Sequence, residues 1–194
     1  EAIGGFYREK AYASARQTLV TEKNPAIAGA ALRSLAGFGR EETRAQILTS
    51  LNTPSYRNER ADDAIAAMRL QDDPAHVAPL LEALSRRESE FTTRGFSQAL
   101  GTLAYLARNE ENKDAVREFL LGRLNHPKIG VRRAALAALG TLSDPKAIGA
   151  VEKFATAAKD GPERTAAEAA LSDLRRARRP VDDFKNLRQE VLDL

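Results

Sequence analysis

A paired apolar motif returns five times along this chain, and that recurrence restricts the fold more than any single residue does. Leu32, Ile65, Leu100, Leu136 and Leu171 each stand in a segment rich in small residues, at spacings of 33, 35, 36 and 35. Three positions further on, Leu35, Met68, Leu103, Leu139 and Leu174 repeat with the same spacings. Apolar residues three apart share one face of an α-helix. Self-similarity at a period of about 20–50 residues is the signature of a repeat array, in which each unit buries its apolar face only against its neighbours.

Each of the first four motifs is followed by a turn and a second apolar stripe. Ile47, Leu48 and Leu51 mark the first, Val77, Leu80, Leu81 and Leu84 the second, Val116, Phe119, Leu120 and Leu124 the third, and Ile148, Val151 and Phe154 the fourth. These spacings are those of amphipathic helices. The reading is therefore an all-α fold, a right-handed α-α superhelix of HEAT/armadillo type with about five helical hairpins, in one domain over 1–194. Its parts are a half repeat at 8–22, carrying Tyr12, Ala15, Leu19 and Val20, then 24–52, 54–86, 91–125, 127–158 and 162–179. A terminal helix follows at 181–194.

The turn residues agree with this division. Asp73-Pro74 and Asp144-Pro145 each fall five residues after their second anchors and lie 71 residues apart. An aspartate caps the free N–H groups of a following helix, and proline at the first helical position loses no donor that the helix needs. Asn24-Pro25, Thr53-Pro54, His126-Pro127 and Gly161-Pro162 separate repeats in the same way. The junction at Glu88–Thr93 has no proline, and Arg108–Asn112 lengthen the third hairpin's turn, so the third repeat is the irregular one.

Composition narrows function by exclusion. The 35 alanines favour helix, and with 6% aromatics and no Trp the core must be built from Leu, Ile, Val and Ala. A formal net charge of +3 is too slight to call for a polyanion, which weighs against nucleic acid. The absence of Cys excludes disulfides and thiolate metal sites. No apolar run is long enough for membrane insertion to be expected. The chain opens at Glu1 without Met and reads as a segment of a longer protein or a processed product; composition does not fix its compartment.

Residues 126–155, HPKIGVRRAALAALGTLSDPKAIGAVEKFA, resemble a HEAT-like repeat of the kind found in bacterial proteins related to phycobilin lyases. His126-Pro127, Val131-Arg132-Arg133, Leu142, Asp144-Pro145 and Ala147-Ile148 carry the likeness, and LQDDPAHVAPLLEAL at 70–84 shares part of it. The third repeat departs from it, with Ser97 in place of Arg133. An Ala-rich array closing on PVDDFKNLRQEVLDL is also similar to the C-terminal end of some bacterial gluzincin aminopeptidases. That resemblance implies a zinc metallopeptidase as the parent chain. Because His-Glu-x-x-His is absent here, it implies no catalytic residue in this segment.

The residues themselves point the same way. His76 and His126 stand 50 residues apart, one opening a second helix with a solvent-facing side chain expected, the other in a turn. No metal site, cofactor or catalytic residue is expected from them, and no nucleophile motif or phosphate loop is present. Asp62-Asp63 and Asp72-Asp73 fall on helix exteriors or turns. Of the Arg132-Arg133 pair, one is expected to bond to the neighbouring turn and the other to face water. Arg175, Arg176, Arg178 and Arg179 read either as an anion patch or as a solvated helix end complementing the dipole, with Asp182 and Asp183 at hand for pairing. Phe184, Leu187, Val191 and Leu194 follow a 3-4-3 rhythm, which suits either a short coiled coil or a cap on the array.

If second helices line a concave face, Arg44, His76, Arg117 and Lys153 are the candidate binding residues. The function expected is a non-catalytic scaffold for a protein, a peptide or an adjacent domain of the same chain, with self-association of the isolated segment. The alternatives are a HEAT-like nucleic-acid-binding module and a lyase-like accessory protein.

Overall fold

The computed structural model describes the backbone of residues 2–192 and the side chains of residues 8–177. Ten helices, with no strand among the described residues, follow in order. They are α1 (Ala2–Thr21), α2 (Pro25–Ala36), α3 (Glu41–Asn52), α4 (Glu59–Gln71), α5 (Val77–Arg86), α6 (Thr93–Ala107), α7 (Asp114–Gly122), α8 (Ile129–Leu142), α9 (Ile148–Ala157) and α10 (Pro162–Leu192). The fold is all-α, of the HEAT-type solenoid class. Two compact units, 1–95 and 96–194, divide inside α6.

In the first unit α2–α3 and α4–α5 are helical hairpins, and α1 packs on α2. First helix lies on first helix, α2 along α4, and second helix on second, α3 along α5. The anchors Leu32, Leu35, Ile65 and Met68 are all buried, as are Ile47, Leu51, Leu80 and Leu84 from the second helices. Burying each such side chain contributes about 1.5–3 kcal/mol. In the second unit α8 packs on α7 and α10, and α9 on α10. Leu100, Leu103, Leu136, Leu139 and Leu174 are sealed there, with Leu120 and Val151 beside them. Alanine and glycine let these helices close: a Cβ at Gly140 of α8 would stand 3.4 Å from the Ala170 Cα of α10.

Helix starts are capped as the turn residues predict. Asn24 Oδ1 accepts from the Ala26 N–H at 3.0 Å, Asp73 Oδ1 from Ala75 at 2.9 Å and Asp144 Oδ1 from Lys146 at 3.0 Å. Pro25, Pro74 and Pro145 hold the first helical positions. The proline-free junction is fastened differently. Arg87 donates to the Leu51 carbonyl at 2.9 Å and to Asn58 Oδ1 at 3.4 Å, tying the end of α3 to the turn that starts α4. That turn holds Arg57 and Asn58 in the left-handed region, at φ 51° and 60°.

One local expectation changes. The repeat at 162–179 and the helix at 181–194 are a single helix, α10, which runs through Pro180. Proline's fixed φ is compatible with the helix, and only one backbone bond is forfeited in 31 residues. Phe184, Leu187, Val191 and Leu194 lie outside the described side chains. On α1 the apolar stripe is only partly covered, since Tyr12 is buried while Val20 is 75% exposed.

Candidate binding surface

Four arginines act as struts between successive hairpins, and two of them, Arg44 and Arg117, are among the binding positions expected from sequence. Arg44 of α3 pairs with Asp73 Oδ2, while the other oxygen of the same carboxylate caps the next second helix. The second unit repeats the device: Arg117 of α7 reaches Asp144 Oδ2 at 2.7 Å, and Asp144 Oδ1 caps the turn into α9. First helices are joined likewise, Arg33 of α2 to Asp63 of α4, and Arg132 of α8 to Glu163 of α10 at 2.5 and 3.1 Å. Arg132 also donates to the His126 carbonyl at 2.7 Å, whereas Arg133 is exposed. Lys113 donates to the Leu142 carbonyl at 2.8 Å, closing the C-terminus of α8.

The electrostatics follow from these contacts. The Ala75 backbone N–H, and then Arg44, hold the Asp73 carboxyl below the usual carboxylate range. Arg132 does the same to Glu163. Hydrogen bonding to Asp144 keeps the Arg117 guanidinium still more firmly charged. At 11% and 9% exposure, the Arg117 and Asp144 side chains form the enclosed pair of the set. Such a pair fixes register more than it adds net stability, because desolvation offsets much of the attraction.

Of the four binding residues expected from sequence, Arg44 and Arg117 are therefore engaged inside the fold. His76 differs from its expected solvent-facing position. It is fully buried in the turn before α5, with Nε2 placed 2.6 Å from Gln71 Oε1 and Nδ1 without a partner among the described residues. Burial pushes its pKa down and keeps the imidazole neutral. Lys153 is exposed on α9. Arg44 and His76 belong to the first unit, Arg117 and Lys153 to the second. In the arginine run, Arg175 pairs with Glu152 at 2.7 Å and Arg176 lies 3.5 Å from Asp173. The side chains of Arg178 and Arg179 lie outside the described residues.

What the struts leave open are clefts. One in the first unit, of about 280 Å³, has Leu32 and Gly29 of α2 at its base. Leu19 and Val20 of α1, Gln46 of α3 and Arg60 of α4 also line it. The Asp63 carboxylate lies against Gly29 there, in the space that a Cβ would occupy. A second cleft, of about 560 Å³, lies in the second unit between Ile129, Phe154 and the start of α10, with the Arg132–Glu163 pair in its wall. Ile129 is 49% exposed. Sequence reasoning singled out neither Gln46, Arg60 nor Ile129, because none belongs to an apolar stripe or a charge run.

Among the described residues no group of three His, Asp or Glu side chains is placed to hold a metal ion, and no helix is long and apolar enough to cross a membrane. The hairpins and struts define a helical-repeat module. Residues 77–172 match the HEAT repeats family, which supports a HEAT-like repeat domain. No curated protein matches the chain.

Proposed function

We propose that this chain is a non-catalytic helical-repeat scaffold that binds a protein or peptide partner. One observation carries the reading. Arginines that could face a ligand are taken up in inter-hairpin struts, while the cleft of the first unit keeps an apolar floor and, at Gln46 Oε1 and Arg60, polar groups with no side-chain partner among the described residues. That distribution suits recognition, since interfaces combine an apolar centre with polar groups that the partner satisfies. Stacked repeats supply extended surfaces for the purpose.

Attachment to a larger bacterial zinc aminopeptidase is the concrete setting we favour, supported by the resemblance of the Ala-rich array and its closing run. The test has two arms. Purified chain with added Zn²⁺ should show no turnover of aminoacyl nitroanilides, and chelator-sensitive hydrolysis would overturn the non-catalytic reading. Reconstitution with a purified candidate partner should give a stoichiometric complex whose cross-links fall around the two clefts. Failure to form any such complex would overturn the scaffold reading.

A further inference from the structure

The cleft of the first unit carries more than a generic surface does. Its base and mouth are apolar, from Ala28 and Leu32 to Leu19 and the exposed Val20. Two polar groups set into this lining have no partner among the described residues. Gln46 Oε1 is buried and accepts no hydrogen bond. Arg60, half-buried in the wall, makes no ion pair or side-chain hydrogen bond; only its backbone N–H is used, donating to Ser55 Oγ. Asp63, three residues further along α4, pairs with Arg33 of α2.

The repeat register marks Arg60 as out of place. Five residues before the first anchor the other repeats carry Ile27, Gly95, Val131 and Ala166, whereas the second carries Arg60. A charge interrupts a row that is apolar or small everywhere else, and it does so at the wall of a cleft. Leaving a half-buried guanidinium and a buried amide oxygen without a matched partner is unfavourable. A ligand that completed both would remove that cost.

We propose that this cleft, on the scaffold reading above, is a docking site for a peptide segment of a protein partner. The segment inserts one apolar side chain over Leu32, sets an Asp or Glu carboxylate on Arg60 and gives a backbone N–H to Gln46 Oε1. The chemistry favours a peptide over a small organic acid: an apolar acid supplies a body and a carboxylate but no donor for Gln46. A peptide brings all three, since each of its non-proline residues carries an N–H. The cleft, of about 280 Å³, has room for one anchoring side chain.

The test is selection of a random dodecapeptide phage library on the full chain. The enriched peptide is then synthesised with a fluorescent label and titrated by anisotropy. The enriched sequences should pair an apolar residue with Asp or Glu within four positions. Arg60→Glu should weaken binding at least about tenfold, and changing the peptide's acid to Lys should restore it in that variant. Ala45→Phe, which fills the cleft from an exposed position, should abolish binding while leaving the thermal midpoint unchanged. Backbone amide shifts on titration should centre on Ala45 and Thr49. Uncharged or basic consensus sequences, failure of the charge-swap rescue, or shifts elsewhere would overturn the cleft assignment and leave the scaffold reading standing. Equally tight binding of 4-phenylbutyrate at the cleft would overturn the peptide as occupant. No enriched peptide would overturn the cleft proposal, and only if reconstitution also failed would the scaffold reading fall with it.

Discussion

Removing the Asp144 carboxylate should disturb the second unit more than any surface substitution, because two contacts go together. Oδ1 caps the Lys146 N–H at 3.0 Å and Oδ2 accepts from Arg117 Nη1 at 2.7 Å. Loss of the cap costs about 1 kcal/mol. Stripping the sole partner from a buried cation costs about 3–5 kcal/mol, but Arg117 keeps Asp114 at 2.6 Å and Glu118 at 3.1 Å. Both of those carboxylates are more than half exposed, so a cost of about 2 kcal/mol is the appropriate share. Asp144→Ala should therefore destabilise by about 3 kcal/mol, lowering Tm by roughly 6–12 °C in a protein of this size. Asp144→Asn keeps the capping oxygen and should fall between the two. Adding Arg117→Met to Asp144→Ala should recover about 1–2 kcal/mol relative to the sum of the single losses, since no unmatched guanidinium is then left inside. Urea and thermal unfolding followed by circular dichroism on the parent, the three single variants and the double variant decides the matter. A loss below about 1 kcal/mol for Asp144→Ala, or a cycle additive to within about 0.5 kcal/mol, would show that the strut reasoning is wrong.

Three further outcomes follow from the same structure. Asp62, packed where a Cβ on Gly95 would lie 2.5 Å from its Oδ1, has its pKa pushed up to about 6 by burial and then by the neighbouring Glu59. A raised carboxyl binds its proton more tightly in the folded state, so stability falls as pH rises from about 4 to 6 and stays level above. Asp62→Asn should accordingly be more stable than the parent at pH 7.5, by roughly 1 kcal/mol once solvent screening is allowed for; an equal difference at pH 4 would refute the assignment. Leu139→Ala, at a fully buried anchor, should cost about 2–5 kcal/mol, whereas the exposed Lys153→Ala should change urea stability by at most about 0.5 kcal/mol. Duplex DNA should bind weakly and be released at physiological salt, because Arg175 and Arg176 already face acidic side chains. Submicromolar binding lost on changing Arg175, Arg176, Arg178 and Arg179 would reverse that view.

The hairpin array was legible because burial leaves a period behind. All ten anchors, from Leu32 to Leu174, are buried where the spacing puts them, and the capping aspartates sit at the turns. Polar side chains leave no such trace. Arg44 and Arg117 lie off the apolar stripes and so read as solvent-facing, yet each finds a capping carboxylate 29 or 27 residues further on. Their own separation, 73 residues, nearly equals the 71 between Asp73 and Asp144, and that shared two-repeat offset was the signal available. His76 had no comparable signal, since its burial depends on how the turn before α5 folds back over Gln71.

The cleft shows the opposite situation, in which what matters is a bond not made. A periodicity reports groups that the fold satisfies, so an unsatisfied group is invisible to it until the repeats are compared with one another. One chain supplies that comparison. At the register of Arg60 four repeats hold Ile27, Gly95, Val131 and Ala166, two of them buried residues that close the array. The guanidinium there finds no strut partner among the described residues, although Asp63 stands one turn away on the same helix. Folding alone gives no reason for a cation at that place. A carboxylate arriving from outside does, which makes charge reversal at Arg60, with rescue by a reversed peptide, the measurement that separates a binding position from an accident of the repeat.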